Sequence, residues 1–220
     1  MTQFKNYDIV TPGELLAEGG IGGEGTYMEQ EKVFSKYFGM VSMNGNIINI
    51  RPLSGKYVPE EGDDIIGKIV EVSDKYWTVN IDVPYSTRID IRDVGFRVAP
   101  GDLASIMDVD DLVYAKIERV TTNRTVDLGM RTPRYTKLPS KMIAKIDPTK
   151  IPRLIGKEGS MINTIKDATK CDIIVGQNGI IWVNGPKEQV DLALMAINLV
   201  NDKYYDPDLV NRVKELLHYV

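Results

Sequence analysis

The apolar residues of this chain change their spacing along its length, and the changes mark out three regions. Up to about residue 59 they come in short alternating runs broken by glycine. There Val33 to Met43 and Ile47 to Leu53 flank Asn44-Gly45, a two-residue hairpin signal, and the stretch is predicted as a small β domain over 1–59. From Ile65 to Met130 the alternation has period two in five runs: Ile65 to Val72, Tyr76 to Ile81, Tyr85 to Ile91, Leu112 to Val120 and Thr125 to Met130. Trp77, Val79 and Ile81 fall on one face of the second run, and Val113, Ala115 and Ile117 on one face of the fourth. A long connection containing Pro100-Gly101 separates the third run from the fourth.

Beyond Lys141, helical spacing alternates with short strands. A strand over Lys141 to Ile146 leads to a helix start at Asp147-Pro148 and a helical turn from Thr149 to Leu154. Ser160 can cap the next helix, whose apolar side is Met161, Ile162, Ile165 and Ala168. Strands Asp172 to Val175 and Ile180 to Asn184 follow, joined by a Gly176-Gln177-Asn178-Gly179 turn. Pro186 then opens a helix running to Asn201. That helix is apolar nearly all round, so it needs cover on more than one side. The second cover is either a last helix, starting at Asp206-Pro207 and carrying Leu209, Val213, Leu216 and Leu217, or a partner subunit.

Several chemistries are excluded early. With a single cysteine, Cys171, there is neither an internal disulfide nor a cysteine-rich zinc site, and with a single histidine, His218, a Ser-His-Asp or Cys-His device is not expected. Gly20-Ile21-Gly22-Gly23-Glu24-Gly25 satisfies G-x-G-x-x-G. However, no βαβ strand precedes it, Glu24 would face a pyrophosphate, and Thr26 stands where a Walker lysine is needed, so a loop between strands is expected. The acidic turn Pro59-Glu60-Glu61-Gly62-Asp63-Asp64 has no histidine beside it and reads as solvated. No long apolar segment or signal peptide is apparent, and a reducing cytoplasm is the expected location. We expect no enzyme activity, cofactor, metal or small-molecule substrate.

Charge changes the picture. The net charge of −4 argues against a polyanion partner, but Arg131 to Lys157 holds eight cations and one acid. This stretch is therefore +7 and the remainder −11. It reads either as a phosphate-binding face or as a solvated basic linker. The stripe ends at Ile155-Gly156-Lys157-Glu158-Gly159-Ser160-Met161-Ile162, where two glycines bracket two charged residues ahead of an amphipathic helix. Such a turn lets another backbone approach, and the helix start offers N–H groups to phosphate; the alternative is a ligand-free glycine turn between helices.

Strand, helix, GXXG, helix, strand, strand, helix resembles the eukaryotic-type KH domain, an α+β fold that grips single strands at its GXXG loop. Lys150, Arg153, Gly156, Lys157, Glu158, Gly159 and Ser160 are the site residues this implies, with Glu158 offsetting Lys157. The five runs before it resemble the five-stranded OB-fold β-barrel of the largest ribosomal small-subunit protein. The marks are Gly62-Asp63, the aromatic second strand and Arg124-Thr125-Val126-Asp127-Leu128-Gly129-Met130. Lys75, Tyr76, Tyr85, Arg88 and Arg124 are its implied RNA contacts, and Trp77 is assigned to the core. The strands lack the Phe-Gly-x-Phe and His face of many relatives, which favours backbone guiding over base stacking.

A β domain (1–59), an OB-fold (60–135) and a KH domain with a C-terminal helix (136–220) together resemble the RNA-binding cap subunits of the archaeal exosome, the family of ribosomal RNA-processing protein four. Val10-Thr11-Pro12-Gly13-Glu14-Leu15-Leu16-Ala17, Ile50-Arg51-Pro52-Leu53-Ser54-Gly55-Lys56-Tyr57-Val58-Pro59 and Pro84-Tyr85 also carry the resemblance. It implies a non-catalytic protein, three copies of which cap a hexameric ring of phosphorolytic RNase PH-like subunits, with the N-terminal β domain (1–59) docking the ring. The cap captures single-stranded RNA, including adenine-rich tails. A NusA-like transcription factor shares the OB-then-KH order but needs a second KH domain. Polynucleotide phosphorylase has the reverse order, and a stand-alone nuclease needs catalytic groups that the sequence does not offer.

Overall fold

Period-two alternation becomes sheet in both units of the chain, Met1–Gly55 and Lys56–Val220. The computed structural model describes residues 4–96, 101–139, 142–202 and 208–218.

The first unit consists of β1 (Ile9–Val10), β2 (Leu15–Glu18), β3 (Ile21–Gly22), β4 (Thr26–Glu29), β5 (Lys32–Ser35), β6 (Gly39–Asn44) and β7 (Ile47–Pro52). They form two sheets, β1-β6-β7-β3 and β2-β5-β4, over a core including Leu16, Val33, Val41 and Ile50. The apolar run Val33 to Met43 is therefore two strands in two sheets. The hairpin also sits one residue later than the sequence suggests: Asn44 pairs with Ile47, so Gly45 and Asn46 make the turn, with Gly45 at φ +60°. The glycine-rich stretch is a loop interrupted by β3, and Gly25 packs so tightly that a Cβ there would lie 2.5 Å from the Ile50 carbonyl oxygen.

The second unit begins with a barrel: β8 (Asp64–Val72), β9 (Tyr76–Asn80), β10 (Ser86–Val94), the one-turn helix α1 (Leu103–Ile106), β11 (Leu112–Val120), β12 (Thr125–Met130) and the short β13 (Thr136–Leu138). The order β8-β9-β10-β12-β11 closes back on β8, with β10 and β12 parallel and the other neighbours antiparallel. This is the five-stranded OB-like closure, and β13 adds to the outer edge of β11. Ile65, Trp77, Ile89, Ile117 and Leu128 fill the interior with Leu103 and Met107. Trp77 is wholly buried and its indole Nε1 donates to the Met107 carbonyl at 2.9 Å, as a buried Trp requires.

The KH part has β14 (Met142–Lys145), β15 (Asp172–Val175) and β16 (Ile180–Asn184) in the antiparallel order β14-β16-β15, with helices α2 (Ile151–Ile155), α3 (Ser160–Thr169), α4 (Lys187–Asp202) and α5 (Leu209–His218). Lys141 and Asp206-Pro207 lie outside the described residues. Leu209, Val213 and Leu217 of α5 join the same core as Ile165, Ile181, Ala193 and Ile197, so the C-terminal helix supplies the second cover for α4. In α3 the buried stripe closes on Thr169 and not on Ala168, which is exposed. The Thr169 hydroxyl is satisfied by donating to the Ile165 carbonyl at 2.7 Å.

Alternation splits the KH sheet between two environments. Ile181 and Val183 face the helices, while Ile180 and Trp182 join Ile66, Leu112, Tyr114 and Leu138 of the barrel in a separate core. The turn after β15 seals this junction. Asn178, 5% exposed, donates through Nδ2 to the carbonyls of Ile66 (2.8 Å) and Ile81 (3.1 Å), and its Oδ1 accepts from the Ile66 N–H (3.3 Å). Gln177 N–H adds a bond to the Asp64 carbonyl at 2.8 Å.

Candidate nucleic-acid interface

The Asp147 carboxylate starts the first KH helical turn, accepting from Thr149 N–H (2.9 Å) and Oγ1 (2.7 Å). Gly156 ends α2 at φ +75°, ψ 175°, a region open essentially to glycine alone, and a Cβ there would lie 2.8 Å from the Met161 nitrogen. Glu158 is left-handed (φ +53°), and Gly159 (φ +80°, ψ 9°) is the N-cap of α3. Ser160, the expected cap, is instead the first helical residue. A glycine cap leaves the helix start without a side-chain acceptor, and the Ser160 N–H is taken by the Lys157 carbonyl.

Lys157, Glu158 and Ser160 are exposed, and Gly156, Gly159 and Arg153 are half-buried. Lys150 differs from the rest. It is 6% exposed and belongs to the turn's interior, where burial pushes its ammonium below the usual lysine range, with Asp147 opposing and Arg153 adding to the effect. The exposed cations at the loop are therefore fewer than the stripe suggested.

The same is true further back along the stripe. Arg131 pairs with Asp93 (2.6 Å), Arg134 with Asp64 (2.6 Å), Lys137 with Asp111 (2.5 Å) and Lys145 with Asp82 (3.0 Å). These four cations of the stripe thus meet carboxylates of the barrel segment. The basic stripe and the acidic remainder are to that extent one complementary pair. Asp64, assigned to a solvated acidic turn by the sequence, is a hub: it accepts from Tyr135 Oη (2.6 Å), Tyr114 Oη (3.0 Å) and Arg134 Nη2 (2.6 Å).

On the barrel, strand register places the five expected contacts at two ends and the middle of one surface. Lys75 and Tyr76 lie at the Asp90 end of β9, where Tyr76, 37% exposed, pairs with Asp90. Arg124 lies at the other end, its carbonyl accepting from Ser86 N–H at 3.1 Å, roughly 13 Å of strand from Asp90. Tyr85 is half-buried against the barrel core. Arg88, opposite Thr78, donates from Nε to Asp127 at 2.9 Å.

Asp127 also takes two bonds from Arg119, at 3.0 and 2.6 Å. Burial pulls the Asp127 carboxyl upward, but the hydrogen bonds of Arg119 and Arg88 outweigh it and hold the group below the usual carboxylate range. Arg119 escaped the sequence reading because strict alternation would put it on the inward face with Val113, Ala115 and Ile117; a register shift between Ile117 and Arg119 turns it out to solvent.

Residues 7–54 match the family model described as the exosome RNA binding protein RRP4 N-terminal domain, and residues 141–199 match the KH domain model. Over 218 residues the chain is 38% identical to the exosome complex component Rrp4 of Methanothermus fervidus, covering 99% of this chain and 98% of that one.

The chain belongs to the Rrp4 family of exosome complex components.

The Rrp4 of Pyrococcus horikoshii is 40% identical over 220 residues, covering 97% of this chain and 83% of its own. A crystal structure assigned as an exosome complex RNA-binding protein superposes with a TM-score of 0.68 at 30% identity, covering 75% of this chain and 97% of that one. Among the described residues no cluster of three or more His, Cys, Asp or Glu could hold a metal ion, and no helix is long and apolar enough to cross a membrane. In this member of the Rrp4 family the GXXG turn lies between α2 and α3, and the KH sheet face away from the helices is packed on the barrel.

Proposed function

We propose that this chain is the non-catalytic RNA-binding cap of an exosome. In this reading it captures single-stranded RNA, adenine-rich 3′ tails among it, and passes the 3′ end to a hexameric ring of phosphorolytic 3′-to-5′ exoribonuclease subunits on which three copies sit. The observation that carries the reading is the Gly156–Gly159 turn, with Lys157 and Glu158 exposed at the glycine-capped start of α3, within a chain of the Rrp4 family. Lys157, Arg153 and Ser160 with the α3 N–H groups form the backbone shelf, and the arginines of the barrel surface guide the strand.

Two measurements test it. Purified chain with labelled single-stranded RNA and inorganic phosphate is expected to bind without shortening the RNA, and trimming by the chain alone overturns the non-catalytic role. Added to reconstituted ring subunits, the chain is expected to accelerate phosphorolysis of a tailed RNA; an unchanged rate overturns the cap role.

A further inference from the structure

The aromatic residues among the expected RNA contacts, Tyr76 and Tyr85, offer little to stack on: Tyr85 packs against the core and Tyr76 is 37% exposed at one end. The best combination of exposed aromatic surface, apolar floor and positive rim lies elsewhere. At the end of β10, Phe96 is 45% exposed at a cleft of about 310 Å³. Met107 and Met130 line it with Tyr135, and Arg131 and Lys137 stand among its walls. This volume is at the small end of ligand sites and suits one nucleoside better than several.

We propose that this cleft is a nucleotide subsite, in which a base of the bound single strand stacks on Phe96 against the methionine floor while Arg131 meets its phosphate. The proposal rests on the RNA-binding reading above. Arg131 uses a single Nη2 hydrogen bond, to Asp93 at 2.6 Å, so four of the five donors of its guanidinium remain for an incoming anion. The Asp93 partner holds the guanidinium in place and offsets part of its charge, so stacking supplies more of the binding here than attraction does. An aromatic face accepts any base, so the subsite tolerates many sequences.

The test compares oligoadenylate with a strand of the same length that is abasic throughout, each binding to the full chain over a salt series. Phe96→Ala is expected to weaken oligoadenylate binding about 5- to 100-fold, the range for losing one base–aromatic stack. Its log–log salt slope should stay that of the wild type, and the abasic strand should not register the substitution. Phe96→Trp should restore affinity. Arg131→Ala should weaken both strands and reduce the slope by about 0.7, one phosphate on a single strand. Thermal melting confirms that the variants are folded.

If Phe96→Ala binds oligoadenylate as the wild type does, or weakens both strands alike, there is no base subsite. If it binds RNA normally but no longer associates with ring subunits, the cleft docks protein and the proposal is overturned. Failure of the wild-type chain to bind either strand would instead overturn the RNA-binding reading on which the proposal rests.

Discussion

The side-chain amide of Asn178 closes on both backbone groups of Ile66, donating to its carbonyl at 2.8 Å and accepting from its N–H at 3.3 Å. It satisfies a strand backbone 112 residues away as a neighbouring strand would, in a place where water is excluded. Asn178→Ala strands the Ile66 and Ile81 groups and is expected to cost about 2–4 kcal/mol in urea denaturation. Asn178→Asp, which loses both donors and buries a charge, should cost more. Equal stability of the alanine variant and the wild type would remove this contact as a determinant of the fold.

The two glycines of the GXXG turn differ in what they require. Gly156→Ala combines a glycine-only conformation with a contact 2.8 Å from the Met161 nitrogen, whereas Gly159→Ala meets only the Asn163 side chain at 3.3 Å. Thermal melting should therefore rank Gly156→Ala well below Gly159→Ala, the first losing at least about 1–3 kcal/mol from backbone strain alone. The reverse ranking would contradict the conformation described here.

Glu158 stands exposed beside Lys157 on the shelf. Glu158→Lys is expected to tighten single-strand RNA binding several-fold at low salt and to steepen the log–log salt slope by up to about 0.7. Filter binding from low to moderate salt measures both. No response in either quantity would place the phosphates elsewhere.

Burial and the hydrogen bond to Asp64 push the Tyr135 hydroxyl up to about 12. A group whose folded value is raised contributes stability that is complete below its unfolded value, near pH 10, and disappears as pH rises through the folded value. Tyr135→Phe should be less stable than the wild type at pH 8, with the difference shrinking between about pH 10 and 12. Paired denaturation curves at the two ends of that window check it, and a constant difference would argue against linkage at this residue.

Met1–Gly55 is a unit of its own, and Tyr57 belongs to the next through its hydroxyl bond to Asp63 at 2.5 Å. Deleting residues 1–55 should abolish co-purification with ring subunits and leave RNA binding, because every RNA contact proposed above belongs to the second unit. Retained assembly would show that the first unit is not the docking element.

Much of this was legible because local rules decided it. The KH strand Ile180–Asn184, the buried Trp77 and the β alternation of the barrel follow from side-chain period and burial, which neighbours in the chain already encode. What escaped depends on partners far along the sequence. Arg134 and Asp64 are 70 residues apart, so nothing in the run of cations announces that Arg131, Arg134, Lys137 and Lys145 are matched to carboxylates. Ser160 satisfies the composition rule for a cap, but a left-handed Gly159 takes the position first. Phe96 stands outside any periodic run, and only the folded barrel brings Met107, Met130 and Tyr135 around it.

The β15-β16 pair of the KH sheet is packed on both faces. Ile174 and Trp182 are spoken for by the barrel while Ile173 and Val183 face the helices. The C-terminal half therefore cannot be lifted out as a portable module: cut free, it would bare a greasy slab and clump. The two halves can be inherited, shuffled or engineered only as a couple, and a graft intended to transfer the glycine loop to another scaffold must carry Ile66, Leu112 and Tyr114 with it.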